Sequence, residues 1–179
     1  MPKNRLWMFA FIAVIAVTAT TTIAQEKKPA SPPAQTKLTF ADGKTASIDY
    51  SAPSMRGRKI FGGLVPYDKV WRTGANAATS LKTDVDLVIG GTTVPAGSYT
   101  LYTIPSQTSW KLIISKQTGQ WGTEYSQAQD LARVDMKVQA RSTPLETFNI
   151  ALDKTGGDSA VLKMQWADVV ASVDVKEKK

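Results

Sequence analysis

Between Lys37 and Lys176 the apolar residues recur at almost every second position, and this period of two limits the fold more than any other feature of the chain. Ala46, Ile48 and Tyr50 alternate with Ser47 and Asp49. Tyr99, Leu101 and Thr103 alternate with Ser98, Thr100 and Tyr102, and Trp110, Leu112 and Ile114 with Lys111 and Ile113. Residues two apart share one face of a strand, so each segment can bury one face against a core. Turn signals separate the segments: Asp42-Gly43, then Gly90-Gly91 between Asp86–Ile89 and Thr92–Pro95, then Gly156-Gly157-Asp158. Phe148, Ile150 and Leu152 precede the last of these turns, Val161 to Trp166 follows it, and a final strand is predicted over Val169–Val175. No stretch has the pattern of a long amphipathic helix. The expectation is an all-β fold of about nine or ten short strands, an antiparallel β-sandwich of jelly-roll type.

The segment from Gln117 to Ala132 breaks the alternation, being too polar for a core strand and too long for a tight turn. Long ordered connections are often functional or held by their own aromatics, and Trp121 and Tyr125 can serve either way. Asp130 and Arg133, three apart, would pair if a short helical turn forms there.

Outside the alternating region the two ends read differently. Lys3 and Arg5 precede an apolar run from Leu6 to Val17 that passes into small residues, with Thr22 and Ala24 placed as a cleavage signal before Gln25. Residues 1–24 are therefore expected to be a secretory signal peptide, and the mature chain to be soluble in the periplasm or outside the cell. The apolar run is about a dozen residues, against roughly 20 for a membrane span, so no integral span is expected in the mature chain. Residues 25–36, rich in proline, alanine and charge, are expected to form a flexible linker. A single domain over 37–176 and a charged tail at 177–179 complete the organisation.

Composition excludes more chemistry than it suggests. With no histidine and no cysteine, the chain cannot build Ser-His-Asp or Cys-His nucleophiles, the usual zinc sites, histidine-held redox metals or disulfides. Asp84 and Asp86 share a strand face, but no loop of further oxygen ligands accompanies them, so no metal and no cofactor is expected. The formal charge of +7 falls to +5 when Lys3 and Arg5 leave with the signal peptide. These charges are spread along the chain without a nucleic-acid-binding motif, so nucleic acid is not an expected partner. Oligomeric state is not legible in the sequence.

Several blocks carry a family resemblance. The run from Tyr50 to Asp84, with GRKIFGGLVPY and WRTGAN inside it, is followed by PAGSYTLYTIP, WKLIISK and QWGTEY, with Asp130 and Arg133 beyond. Together they resemble the domain-of-unknown-function family 2911 of exported bacterial proteins. The resemblance covers the domain from Lys37 onward and implies an exported β-rich domain. It implies no activity, substrate or catalytic residue.

Read physically, Gly62-Gly63 permits a positive φ or the close approach of another backbone, and Pro66 sets a turn before Tyr67 and Asp68. Ile60, Phe61, Leu64, Val65 and Val70 are core candidates. Gly74 lets the chain turn after Trp71 and Arg72, and Asn76 suits the left-handed region. Trp71 reads first as core and second as a ligand platform. Arg58 and Arg72 must reach solvent, pair with a carboxylate such as Asp68, Asp84 or Asp130, or bind something anionic or hydroxyl-rich.

Three functions are compatible with these residues. One is a binding module for a small polar or carbohydrate-like ligand, formed by Arg58, Tyr67, Trp71, Arg72 and Asn76 and roofed by Trp121 and Tyr125. Another is a structural or protein-interaction domain of the cell envelope with Arg72 as an internal brace. The last is a metal-independent hydrolase or isomerase using Asp68, Asp130 or Tyr67 as acid or base.

Overall fold

The computed structural model describes residues 30–179. The expected signal peptide and residues 25–29 of the expected linker lie outside the described residues. Nine strands follow in order: β1 (Pro33–Thr39), β2 (Thr45–Ser51), β3 (Thr79–Thr83), β4 (Leu87–Ile89), β5 (Thr92–Val94), β6 (Gly97–Pro105), β7 (Trp110–Ser115), β8 (Asp130–Gly156) and β9 (Ser159–Glu177). Every pairing between them is antiparallel. The two-residue turn at Gly90-Gly91 has positive φ at both positions, 52° and 87°, as a hairpin between β4 and β5 requires. β1 begins four residues before Lys37, and its first residue is Pro33, which an edge strand tolerates because no partner needs its missing N–H.

All nine strands belong to one sheet, in the order β1-β2-β3-β6-β7-β8-β9-β4-β5, rather than to the two separate ladders of a jelly roll. The long hairpin β8–β9 is the reason. The first part of β8 pairs with β7, whereas its second part lies over the opposite end of the sheet. There Ile150 donates its backbone N–H to the Tyr50 hydroxyl at 3.0 Å, Leu152 donates to Thr36 Oγ1 at 3.1 Å, and Ser54 bridges to Thr147. Register shifts between Ala140 and Asn149 bend the hairpin, and on β9 the buried Ala167 takes a left-handed φ of 50°. What sequence suggested as a break between Trp166 and Val169 is this kink inside one strand. The alternation of Val134 and Met136 with Arg133, Asp135 and Lys137 belongs to the same long strand, which was not predicted before Phe148.

Between the facing parts of the sheet sits a core centred on aromatics. Trp71 stacks nearly parallel on Trp166, with centroids 5.9 Å apart and planes 17° apart, and meets Phe148 edge-on at 5.1 Å. Phe61 and Trp110 complete the group at 5.0 Å from each other. Edge-on and offset contacts of this kind add to the large apolar area such rings bury. Ile60, Phe61 and Val65 are buried as expected, but Leu64 is 48% and Val70 37% exposed. Residues 59–65 form a tight turn, closed by Val65 N–H to Ile60 C=O at 2.9 Å and Leu64 N–H to Lys59 C=O at 3.1 Å. Its tip points Leu64 away from the core, so counting apolar letters overstated burial there.

β6 and β7 are buried on both faces, Tyr102 and Ile113 lying outside the main core yet 1% and 0% exposed. Their outer face is covered in part by the connection over 116–129, to which the Tyr102 hydroxyl donates at the Glu124 carbonyl, 2.7 Å away.

Candidate functional site

The segment WRTGANAA is an excursion out of the sheet beside β6. Trp71 exchanges two backbone hydrogen bonds with Thr103, at 2.7 and 3.0 Å, and Thr79 is paired with Leu101, two residues away on the same strand. Arg72 to Ala78 must therefore leave and return over almost no distance along β6. Such a return needs unusual backbone, and Thr73, Gly74 and Asn76 supply it with φ of 56°, 152° and 59°. A left-handed threonine is strained by its branched Cβ, at a cost of order 1–3 kcal/mol. Hydrogen bonds hold it there: Thr73 Oγ1 donates to Thr103 Oγ1 at 3.1 Å, and Thr79 Oγ1 donates to the Thr73 carbonyl at 2.8 Å.

The polar connection over 116–129 locks onto this excursion. Trp121 bridges Ala77, and Gly122 donates its N–H to the Asn76 carbonyl at 3.1 Å. Gly122 is glycine for a steric reason: a Cβ there would lie 2.7 Å from the Asn76 carbonyl oxygen and 2.8 Å from Arg72 Cδ. The backbone at Gly122 thus lies flat on the aliphatic stem of Arg72. Farther along, Tyr125 is anchored by donating its hydroxyl to Asp130 Oδ2 at 2.8 Å while accepting from Arg133 Nη2 at 2.7 Å. Arg133 Nε also donates to Asp130 Oδ2 at 2.8 Å. The expected pairing of Asp130 with Arg133 is present, although the two residues lie on the start of β8 and not on a helical turn. A single 3-10 turn, Gln127–Gln129, precedes them. Burial, reinforced by the hydrogen bond to Asp130, raises the Tyr125 pKa, and the bond to Asp130 raises that of Arg133.

Between the 58–70 turns, the excursion and residues 122–125 lies a cleft of about 620 Å³. Trp71 and Trp166 line its depth, Leu64 and Val70 its apolar rim, and Arg58, Arg72, Thr123 and Tyr125 supply its polar atoms. Arg58 is partly consumed, donating Nε to the Met55 carbonyl at 2.9 Å and Nη2 to the Ser54 carbonyl at 2.7 Å. Arg72, half-buried, makes no hydrogen bond or ion pair with any described residue, although Ser31, Gly74 and Tyr102 also border the cleft.

The chain matches the model of the family described as a protein of unknown function, DUF2911, over residues 31–175. It belongs to that family. No curated protein and no solved structure matches the chain. For this DUF2911 domain, then, geometry has to carry the functional reading.

Of the residues singled out from the sequence, Arg58, Trp71, Arg72 and Tyr125 come together in the cleft. Tyr67 does not; its ring packs over Gly62, where a Cβ would come within 2.7 Å of it, and borders a different hollow beside Ala140 and Ala167. Asn76 does not line the cleft; its side-chain amide donates to the carbonyl of the cleft-bordering Ser31 at 3.4 Å, and it holds a left-handed turn as its residue type suits. Trp121 is 52% exposed and does not roof the cleft.

None of the three carboxylates considered for Arg72 reaches it. Asp84 accepts from Thr45 N–H and Oγ1 at 3.1 and 2.8 Å, Asp130 is engaged by Tyr125 and Arg133, and exposed Asp68 stands outside the cleft in a left-handed turn. Asp86 accepts the Ala96 N–H at 2.9 Å. Sequence reading missed Trp166 and Tyr102. Trp166 lies 95 positions from Trp71, and only the bent hairpin sets the two rings together. Tyr102 sits opposite the core-facing Leu101 in the alternation, and only the connection laid across it makes it part of a cleft.

Proposed function

We propose that this chain is an exported binding module for a small polar or carbohydrate-like ligand, held in the cleft beside Arg72. The observation that carries the reading is a half-buried arginine, Arg72, whose side chain has no protein partner among the described residues and lines a cleft with indoles in its depth. Arginine in such a place offers five donors in a planar fork, and with no acceptor for them among the described residues they are left to a ligand. A volume of about 620 Å³ suits a small molecule, as pockets of roughly 300–1,000 Å³ do. Export is supported by the basic, apolar and small-residue succession of residues 1–24, and no helix among the described residues is long and apolar enough to cross a membrane.

Arg72→Ala tests the reading against its structural alternative. A ligand found by screening sugars and small acids against tryptophan fluorescence should lose its binding, while the melting temperature falls by less than about 3 °C, the equivalent of roughly 1 kcal/mol in a domain of this size. An internal brace would behave differently, since removing one member of a buried pair costs about 3–5 kcal/mol. A fall of about 10 °C or more would therefore overturn the binding role of Arg72.

A further inference from the structure

We infer that the cleft selects a ring-bearing carboxylate, with the acid group taken by Arg72 and the flat face of the ring laid toward Trp71; this rests on the binding reading above and names the ligand class. Among the residues lining the cleft, Arg58 and Arg72 are the only ones charged at neutral pH, and no aspartate, glutamate or histidine lies among them to balance the pair. The carboxylates that sequence placed nearby are committed elsewhere, Asp130 to Tyr125 and Arg133 and Asp84 to Thr45. Both charges therefore act on whatever enters, and low-dielectric walls of tryptophan, valine and leucine strengthen their field.

Geometry favours a planar acid over a bare ion. Gly122 lies against the Arg72 stem at Cβ and Cδ, and Arg58 is held by two backbone carbonyls, so the course of the Arg72 stem and the Arg58 head are set before any ligand arrives. A fork of parallel N–H groups matches the two oxygens of a carboxylate. Beyond the acid, a cleft of about 620 Å³ whose wall is roughly half apolar and half polar needs a body to fill it, and the partly exposed Trp71 offers an aromatic surface for a ring. A small inorganic anion would leave that wall wet. A neutral sugar would leave Arg72 without a counter-charge.

Matched pairs of probes test the inference: benzoate against benzamide, and glucuronate against glucose, each titrated into the purified protein by tryptophan fluorescence and calorimetry at low salt. At least one acid should bind about tenfold or more tightly than its neutral partner, the scale of one charge-assisted hydrogen bond. The preference should shrink as salt is raised and fall below about twofold in Arg72→Gln, which keeps the Cβ and Cγ methylenes of the stem and removes the charge. Equal binding of acid and neutral partner, or a preference that survives Arg72→Gln, overturns the ligand class and leaves the binding module standing. Failure of every probe to bind the wild-type protein overturns both. Inorganic phosphate binding as tightly as the acids would overturn the role of the ring alone.

Discussion

Gly122→Ala separates a cleft that is built from one that merely happens to be open. Gly122 is not in the left-handed region, so an alanine there meets no backbone penalty and its effect is purely steric. The added methyl would lie 2.7 Å from the Asn76 carbonyl oxygen, 2.8 Å from Arg72 Cδ and 3.2 Å from Arg72 Cβ. The end of the arginine can swing aside, but the carbonyl belongs to backbone held in the strained Thr73–Asn76 excursion and bonded to Gly122 N–H. Relief therefore requires the connection to lift by several tenths of an ångström. Overpacking of this kind costs about 1–3 kcal/mol. Unfolding entropy near 2.1 cal/mol/K per residue, over roughly 150 residues, converts that cost into a melting temperature lower by about 3–10 °C. Thermal unfolding followed by circular dichroism measures it, with Thr118→Ala, an exposed change in the same connection, as the control. A variant melting within about 1 °C of wild type would refute the packing of the connection on the excursion, and with it the seating of the Arg72 stem.

Two further outcomes are expected. Gly90→Ala should destabilise more than Gly91→Ala: both residues have positive φ, but a Cβ at Gly90 collides with Val134 Cγ1 whereas one at Gly91 meets open space. We expect about 2–4 kcal/mol against about 1–2 kcal/mol by denaturant unfolding, and equal losses would mean that the β4–β5 turn does not press on β8. Stability should also be flat from about pH 5 to 9, since the chain has no histidine or cysteine to titrate there. Burial raises the pKa values of Tyr99, Tyr102 and Tyr125, so above about pH 10 the unfolded chain loses protons that the folded one keeps, and stability falls as pH rises. Hydrogen bonds from the Lys44 backbone, the Thr45 side chain and the Lys179 side chain lower those of Asp42, Asp84 and Asp158 respectively. Their contribution is present above about pH 4 and is lost as pH falls through the lowered values. A thermal-stability titration with a midpoint between pH 6 and 8 would contradict this assignment.

Local pattern was a good guide wherever neighbours in sequence decide the outcome. The strands around Ile48, Leu101 and Leu112 and the hairpin at Gly90-Gly91 stand where the alternation and the glycines put them. Gly62 takes φ of 73°, and Gly63 is approached by the Lys59 carbonyl to within 2.5 Å of where a Cβ would lie, so both uses expected of that pair occur. Pattern failed where a strand bends. Ala167 looks like the end of a strand because its kink interrupts the alternation, yet the ladder of β8 with β9 continues through it.

The site shows the same division. Residue type alone marked Arg72 as a guanidinium in need of a partner and marked Trp71 as a large ring destined for burial or for a ligand. Which partner Arg72 has could not be read from the chain, because Asp84 and Asp130 lie 12 and 58 positions away and are engaged by Thr45 and, through Asp130 Oδ2, by Tyr125 and Arg133.

By itself the sequence determined the antiparallel strands, the turns with positive φ and the exclusion of histidine and cysteine chemistry, since each follows from side-chain period, backbone allowance or composition. Only the tertiary structure decided that one sheet folds across itself, that Trp166 backs Trp71, and that Gly122 seats Arg72 over an open cleft. Those outcomes depend on contacts between segments 50 to 95 residues apart, selected by how the long bent hairpin and the polar connection pack, and no local pattern encodes that choice.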